Sequence, residues 1–338
     1  MLTTLWALFI FLLVIVFHEF GHFIVAKLLD VRVNEFSIGM GPLIAKKQMP
    51  ETQYSLRALP IGGYVSMEGE DEASDDPRSF SRTPVWKRLL IIVAGALMNF
   101  VLAFLVLLVV FGIRGKEMPV IGAFTEHSAL EEAGFRLGDR ILSIGGDPVS
   151  DWQDLLDRVA QLPPDIPVEV EARRGTETFS ASVIPFEDEA SSRVLLGIIP
   201  ATEKDAGYTI QNAVASIGFM MGSMIEFFAS LFRGAVGLQD VSGPVGIIGA
   251  IGQASAGGVY PVLMLLAFIS VNVGFVNLLP IPALDGGKIF FLLIEAIRGK
   301  PLPAEKEGIV HLIGFALLML LILVVTFQDV LRLGVFGG

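Results

Sequence analysis

The stretch His18-Glu19-Phe20-Gly21-His22 lies inside the run LWALFIFLLVIVFHEFGHFIVAKLL, residues 5–29, which is otherwise almost wholly apolar. A run of this length is long enough to cross a bilayer as a helix. A charged side chain at the centre of a membrane helix costs at least about 2.5 kcal/mol, and such residues usually mark function. The two histidines and the glutamate therefore need a compensating interaction.

The composition indicates a membrane protein. Of the 338 residues, 53% are hydrophobic and 17% are charged, whereas soluble domains carry about 25% charged residues. The formal net charge of −11 argues against nucleic acid as a partner. Cysteine is absent, which excludes disulfides and thiolate metal ligands. The N-terminal run lacks a basic flank and a cleavage site, so we expect a retained transmembrane helix over residues 1–29.

Three further apolar segments are long enough to span a bilayer, and they cover residues 89–112, 259–297 and 307–328. The segment 259–297 is interrupted by PIPALDGG at residues 280–287, where two prolines stop the helix. Polar backbone at membrane depth is tolerated only inside protein or beside water. The sequence thus predicts a polytopic α-helical membrane protein with about four transmembrane helices, the third of them broken.

Residues 207–258 are apolar but are interrupted by polar side chains, among them Gln211, Asn212 and Glu226. This pattern predicts an amphipathic helix at the membrane surface followed by a linker. An additional span here would invert the topology of the chain downstream.

Two regions between the apolar segments are polar enough to be soluble. Residues 30–88 contain a predicted β-hairpin at about 54–67, centred on a Pro-Ile-Gly-Gly sequence. Residues 115–203 alternate strand-like runs with one helix, which begins after Ser150 or Asp151, so we expect an α+β domain. Lysine and arginine concentrate in residues 30–88 and 288–306. The positive-inside tendency places those loops in the cytoplasm and the 115–203 domain outside.

His18 and His22 stand four residues apart, which on a helix places both imidazoles on one face, about 6 Å apart along the axis. Glu19 stands beside that face. Two histidines and a glutamate in this order form the H-E-x-x-H pattern of zinc hydrolases. Gly21 lets another backbone approach closely between the two histidines. The alternative is a pair of core histidines, which leaves the buried charge unexplained.

A catalytic zinc usually has three protein ligands and one water molecule, so a third ligand is needed. The extended motif places a histidine six residues after the second one, but that position is Leu28. His127 lies in the 115–203 domain, and His311 opens the last span. Asp285 lies in the broken segment at membrane depth. It is the best candidate, because one cation would offset the burial of both sets of polar residues.

At this point the chain resembles the site-2 protease family of intramembrane zinc metalloproteases, and most closely its bacterial branch of the regulator-of-sigma-E protease type. The motifs that carry the resemblance are HEFGH, FSIGMGP at 36–42, LPIGGYV at 59–65, DVSGPVGI at 240–247 and NLLPIPALDGG at 277–287. SALEEAGFRLGDRILSIGGDPVSDW at 128–152 is similar to a PDZ domain. The resemblance covers nearly the whole chain and leaves room for a single PDZ domain.

The resemblance implies an intramembrane metalloendopeptidase with one zinc ion, in which Glu19 is the catalytic acid/base and the ligands are His18, His22 and Asp285. The implied partners are the lipid bilayer and single-span membrane proteins such as anti-sigma factors or remnant signal peptides. The implied location is the bacterial cell membrane, with the active site toward the cytoplasm and the PDZ domain outside.

The resemblance also implies a substrate-binding role for Asn277, Pro280 and Pro282. Asn277 would contact the substrate near the scissile bond, or it would instead form a hydrogen bond between membrane helices. The two prolines would shape the Asp285 loop. Asn99, in the second span, we expect to be structural.

Three questions remain open from the sequence alone. The predicted hairpin would hold an unwound substrate by strand addition, or it is an ordinary cytoplasmic hairpin. The PDZ domain would bind the cut C-terminus of a substrate, or it would exclude substrates with bulky outer domains. The competing functions are a catalytically inactive membrane PDZ scaffold and a zinc-binding membrane transporter.

Overall fold

The computed structural model describes residues 2–70, 74–188, 192–237 and 241–332, and the chain divides into two compact units, residues 1–110 with 212–338, and residues 111–211. Asp240, which begins the DVSGPVGI motif, lies outside the described residues. The helices are α1 (Leu2–Leu28), α2 (Val85–Arg114), α3 (Ala129–Glu132), α4 (Trp152–Val159), α5 (Ala206–Phe232), α6 (Pro244–Ala256), α7 (Val259–Leu278), α8 (Asp285–Arg298) and α9 (Ala304–Arg332).

Several of these helices have the length and composition of membrane spans. Among the described residues, α1, α2, α5, α7 and α9 qualify. The chain is therefore a multi-pass membrane protein, whereas the number of spans and their orientation remain predictions. The additional candidate is α5, for which the sequence predicts a surface position, and only Ala213 and Met220 of this described helix are buried. The third apolar segment comprises α7 and α8, separated by residues 279–284.

The predicted hairpin at about 54–67 is wrong in its boundaries. Residues 53–67 form one long strand, β2 (Gln53–Met67), which pairs with β1 (Val33–Gln48). Residues 35–38 of β1 lie beside both halves of β2, with partners at 53–56 and at 63–66. The two halves of β2 therefore flank β1 instead of pairing with each other. Gly62, predicted to lie in the turn, is a kink within β2 with a φ value of +96°, and Gly39 of β1 has a φ value of +85°.

The start of β1 and the end of β2 pack against the last turns of α1. Phe23 and Ala26 of α1 share a core with Val33, Phe36 and Met67 of the sheet. Ile91 and Ile92 of α2 and Leu292 of α8 complete this cluster. The core thus joins the helix that carries HEFGH to the two helices that pack on it.

The second unit is a β-rich domain around a single core. Five strands follow the order β10-β3-β4-β6-β7, with β5 paired to β4. The strands are β3 (Lys116–Phe124), β4 (Arg140–Ile144), β5 (Asp147–Pro148), β6 (Val168–Arg174), β7 (Glu177–Val183), β8 (Phe186–Asp188), β9 (Arg193–Leu195) and β10 (Ile198–Glu203). The predicted helix is α4. Its N-cap is Asp151, whose side chain accepts a hydrogen bond from the Asp154 amide.

Candidate metal centre

The two histidines of HEFGH project from the same face of α1. Their Nε2 atoms lie 3.3 Å apart, as the spacing of four residues predicts. The His22 ring is fixed by α2, because its Nδ1–H donates a hydrogen bond of 2.8 Å to the Ile91 carbonyl. A proton on Nδ1 leaves Nε2 with a free lone pair, which is the form of histidine that binds a metal ion.

Asp285 lies next to both histidines, although it is far from them in the sequence. Its Oδ2 atom lies 3.1 Å from His18 Nε2 and 3.3 Å from His22 Nε2. Asp285 is the first residue of α8, so its carboxylate is stabilised by the positive end of the helix dipole. Among the described residues, these three side chains form the one cluster of histidine and carboxylate groups able to hold a metal ion.

The spacing of the three atoms fits a zinc ion. Four ligands at about 2.0–2.1 Å in tetrahedral geometry stand about 3.3 Å from one another, and the three separations here are 3.1, 3.3 and 3.3 Å. Asp285 Oδ2 is also buried and accepts no well-aligned hydrogen bond from either imidazole. Three atoms that converge on one point, each able to offer a lone pair, form a candidate cation site.

Glycines allow α1 and α2 to approach closely behind the histidines. A Cβ atom at Gly21 would collide with the Ala94 carbonyl, and one at Gly95 would collide with the His22 ring. The same Cβ at Gly95 would stand 2.9 Å from His18 Cε1. Any larger residue at Gly95 would therefore push the two imidazoles out of position.

Asn99, expected to be structural, contacts the centre directly. It is fully buried in α2, and its amide lies 3.3 Å from His18 Nδ1. A histidine that binds a metal through Nε2 carries its proton on Nδ1, and that N–H requires an acceptor. The structure turns Nδ2 of Asn99 toward the ring and leaves Oδ1 buried without a hydrogen-bond partner among the described residues. A flip of the amide, which exchanges these two atoms, gives His18 Nδ1–H its acceptor. Asn99 thus orients His18 as the Ile91 carbonyl orients His22.

Glu19 stands between the histidines and the sheet. Its side chain is partly exposed, and its Cγ lies 3.4 Å from the position that a Cβ would take at Gly63 of β2. Gly63 of β2 therefore lies directly beside the glutamate side chain. A partly exposed carboxylate next to the two histidines is suited to proton transfer.

The three substrate-binding candidates lie on the chain that leads to Asp285. Asn277 is partly buried in the last turn of α7, and Pro280 is exposed just after that helix. Pro282 packs against α9, because a Cβ at Gly314 would stand 2.7 Å from the Pro282 carbonyl oxygen. Their roles toward a substrate remain predictions.

The two remaining histidines occupy other places. His311 of α9 contacts the loop before Asp285 through its Nδ1 atom, which lies 2.9 Å from the Ala283 amide nitrogen. His127 belongs to the β-rich unit. Of the candidates for the third ligand, it is Asp285 that the fold brings to the two histidines of α1.

Known proteins with similar sequences are named as proteases. The model of peptidase family M50 matches residues 6–321. A Clostridium acetobutylicum protein described as a zinc metalloprotease is 38% identical, over 96% of this chain and 96% of that protein. The regulator of sigma-W protease RasP of Bacillus subtilis is 32% identical, over 96% of this chain and 97% of that protein.

Solved structures offer a weaker likeness. The PDZ domain of an SdrC-like protein from Listeria monocytogenes is 16% identical, covering 26% of this chain and 87% of that one, with a TM-score of 0.22. A score this low supports no argument about the fold. The PDZ assignment of the β-rich unit therefore remains a prediction.

Proposed function

Because the chain belongs to peptidase family M50, it is an intramembrane zinc metalloprotease, and we propose that it cuts the transmembrane segments of single-span membrane proteins. The observation that carries the proposal is the meeting of His18, His22 and Asp285 at one point, next to Glu19. Three ligands at zinc spacing with an adjacent carboxylate are the parts of a metallopeptidase site.

Some residues of the site would bind zinc or the substrate, and one would transfer protons. A zinc ion held by His18, His22 and Asp285 would bring the pKa of a bound water to about 7 and polarise the substrate carbonyl. Glu19 accepts the proton that the attacking water gives up. It then donates this proton to the nitrogen of the departing peptide. Asn277 we assign to the substrate, as a donor toward the carbonyl oxygen.

The strand β2 is suited to hold the substrate. A transmembrane helix hides its carbonyl groups in its own hydrogen bonds, so it must unwind before it is cut. Residues 63–66 pair with β1 on one side, and Gly63 stands next to Glu19. An extended substrate segment added to the free edge would bring a peptide bond toward the acid/base. Proline substitutions at Tyr64 and Val65 that leave cleavage intact would exclude this arrangement.

The β-rich unit sets which substrates reach the site, and we assign it to the outer side of a bacterial cell membrane. Its two roles, binding of a cut C-terminus or exclusion of bulky outer domains, predict opposite effects of deleting residues 115–203. Loss of cleavage would support binding, whereas new cleavage of uncut precursors would support exclusion. The name of the RasP relative makes an anti-sigma factor the first substrate to test, and a remnant signal peptide the second.

The substitution Glu19→Gln tests the acid/base role. It keeps the size of the side chain but removes its basicity, so cleavage of a tagged single-span substrate should fall by about 10²–10⁴-fold. Zinc content should stay at the wild-type level, because Glu19 is not a ligand. Glu305→Gln, at an exposed glutamate of α9, is the matched control and should cleave normally. Undiminished cleavage by the Glu19 variant would rule out the mechanism.

A further inference from the structure

Asp285 follows a short segment of irregular backbone. Residues 279–284 form neither helix nor strand, and Ala283 has a φ of +78°. A residue other than glycine in this left-handed region costs about 1–2 kcal/mol. Of its four N–H groups, those of Leu279, Ile281 and Leu284 bond to nearby carbonyls of the same stretch, and the Ala283 amide bonds to a different element. The position of Ala283, and with it the direction of the Asp285 carboxylate, therefore depends in part on a contact from elsewhere in the fold.

Helix α9 supplies such a contact through His311. The Ala283 amide donates a hydrogen bond of 2.9 Å to His311 Nδ1. One turn further along, the backbone of α9 lies directly against Pro282, so that a side chain at Gly314 would collide with it. The strained residue and its neighbour are thus both fixed by one face of α9.

The His311 ring is itself held in a defined orientation. The ring of Phe291, in α8, packs edge-on against it with the centroids 5.4 Å apart. Because Nδ1 accepts the hydrogen bond, the ring proton resides on Nε2. That atom lies 3.9 Å from a carboxylate oxygen of Glu307, on the same helix.

The loop is not closely packed on the side where this hydrogen bond forms. A cavity of about 670 Å³ borders Ala283, His311 and Phe291. Glu70, Arg88, Lys288, Glu295 and Glu307 line the same space. A loop residue that faces a cavity has fewer van der Waals neighbours to restrain it, which makes the single acceptor on α9 more important.

We propose that His311 is a positioning residue, which holds the loop before Asp285 through the Ala283 amide and thereby directs the carboxylate toward His18 and His22. The inference rests on the proposed role of Asp285 as a zinc ligand. It assigns His311 no contact with substrate or zinc. It acts on the geometry of the third ligand. Loss of His311 should therefore lower zinc affinity, and any loss of activity follows from that.

The test compares His311→Asn with His311→Leu in the full chain purified in detergent. The two side chains have the same branched shape, but only asparagine carries an acceptor where the histidine has Nδ1. Zinc affinity is measured by competition with a chelator, and melting of the zinc-free protein is measured in parallel. We expect the leucine variant to bind zinc about 10–100-fold more weakly, the asparagine variant to be near wild type, and both zinc-free proteins to melt alike.

Equal zinc affinity in the two variants, whether retained or lost, would overturn the proposal, since the acceptor would then make no difference. Asp285→Ala serves as the reference in the same assay. If that variant keeps wild-type affinity, the ligand assignment is wrong; if it loses zinc while the leucine variant does not, only the role of His311 is wrong. Should the leucine variant not fold, His311→Ala removes the same acceptor without adding apolar bulk and carries the same expectation.

Discussion

His18 and His22 belong to one regular helix, whereas Asp285 stands where an irregular segment ends and α8 begins. In α1 the backbone hydrogen bonds of the helix set the spacing of the two histidines, and α2 orients their rings. In the second half of the site, the distance between Asp285 and the histidines depends on how α7, α8 and α9 pack together. The first half is a local structure, and the second is a product of the tertiary fold.

Each half also has its own supports. The Ile91 carbonyl and Asn99, both on α2, contact the outer nitrogens of His22 and His18. They act on rings whose backbone is already fixed. The supports of Asp285, namely Gly286 and the contacts of α9 with Pro282 and Ala283, act on the backbone that carries the ligand. We therefore expect substitutions at the supports of Asp285 to move that ligand away from the histidines. Substitutions at the α2 supports should leave His18 and His22 in place and only weaken their binding of zinc.

The largest effect should come from removal of a ligand, and it should be equal in the two halves. His22→Ala and Asp285→Ala each leave two protein ligands where a catalytic zinc has three. We expect both variants to lose zinc on dialysis and to cleave no tagged substrate, with affinity at least about 100-fold lower than wild type, beyond the range of substitutions around ligands. Metal analysis of the dialysed protein measures the loss.

Glu19→Gln is the control for this pair, because it should lower cleavage by about 10²–10⁴-fold while zinc is retained. If Asp285→Ala kept its zinc and His22→Ala did not, the comparison between the halves would fail, since the centre would then be completed by a group other than Asp285.

A smaller effect is expected from Gly286→Ala, which tests the backbone of the second half. A Cβ at this position would collide with the Leu279 carbonyl, so residues 279–285 would have to shift. Strain of this kind costs about 1–3 kcal/mol, and the shift moves Asp285 away from the histidines. We expect zinc affinity about tenfold or more below wild type, measured by chelator competition. Gly308→Ala in α9, where a Cβ meets no atom within 4 Å, should bind zinc normally.

Much of the fold and half of the site follow from local sequence pattern. The apolar segments, the interruption at Pro280 and Pro282 and the strand-like runs of the β-rich unit reflect hydrophobic length, proline chemistry and strand-forming composition. HEFGH and Asp285 are recognisable in the sequence because charged side chains are rare in membrane-spanning segments. These features need no knowledge of which segments touch.

Features that depend on contacts between distant segments could not be predicted in this way. The pairing of β2 with β1 was missed because the Pro-Ile-Gly-Gly sequence indicates a turn, whereas Gly62 forms a kink within a long strand. The contact of Asn99 with His18 and that of His311 with Ala283 join residues far apart in the chain. An asparagine or a histidine in an apolar helix signals a polar partner, but it does not identify that partner.

The smallest effect should come from Asn99→Leu, which removes a support in the first half without disturbing the backbone. Leucine has a similar branched shape but cannot form a hydrogen bond, so His18 Nδ1 loses its contact with the Asn99 amide. Because α1 still fixes His18, we expect zinc affinity to fall by less than about tenfold, below the usual range of such substitutions, with cleavage restored by excess zinc. Asn272→Leu, which removes a partly buried amide of α7, is the matched control and should bind zinc normally. A loss as large as that of Gly286→Ala would mean that both halves depend equally on tertiary contacts.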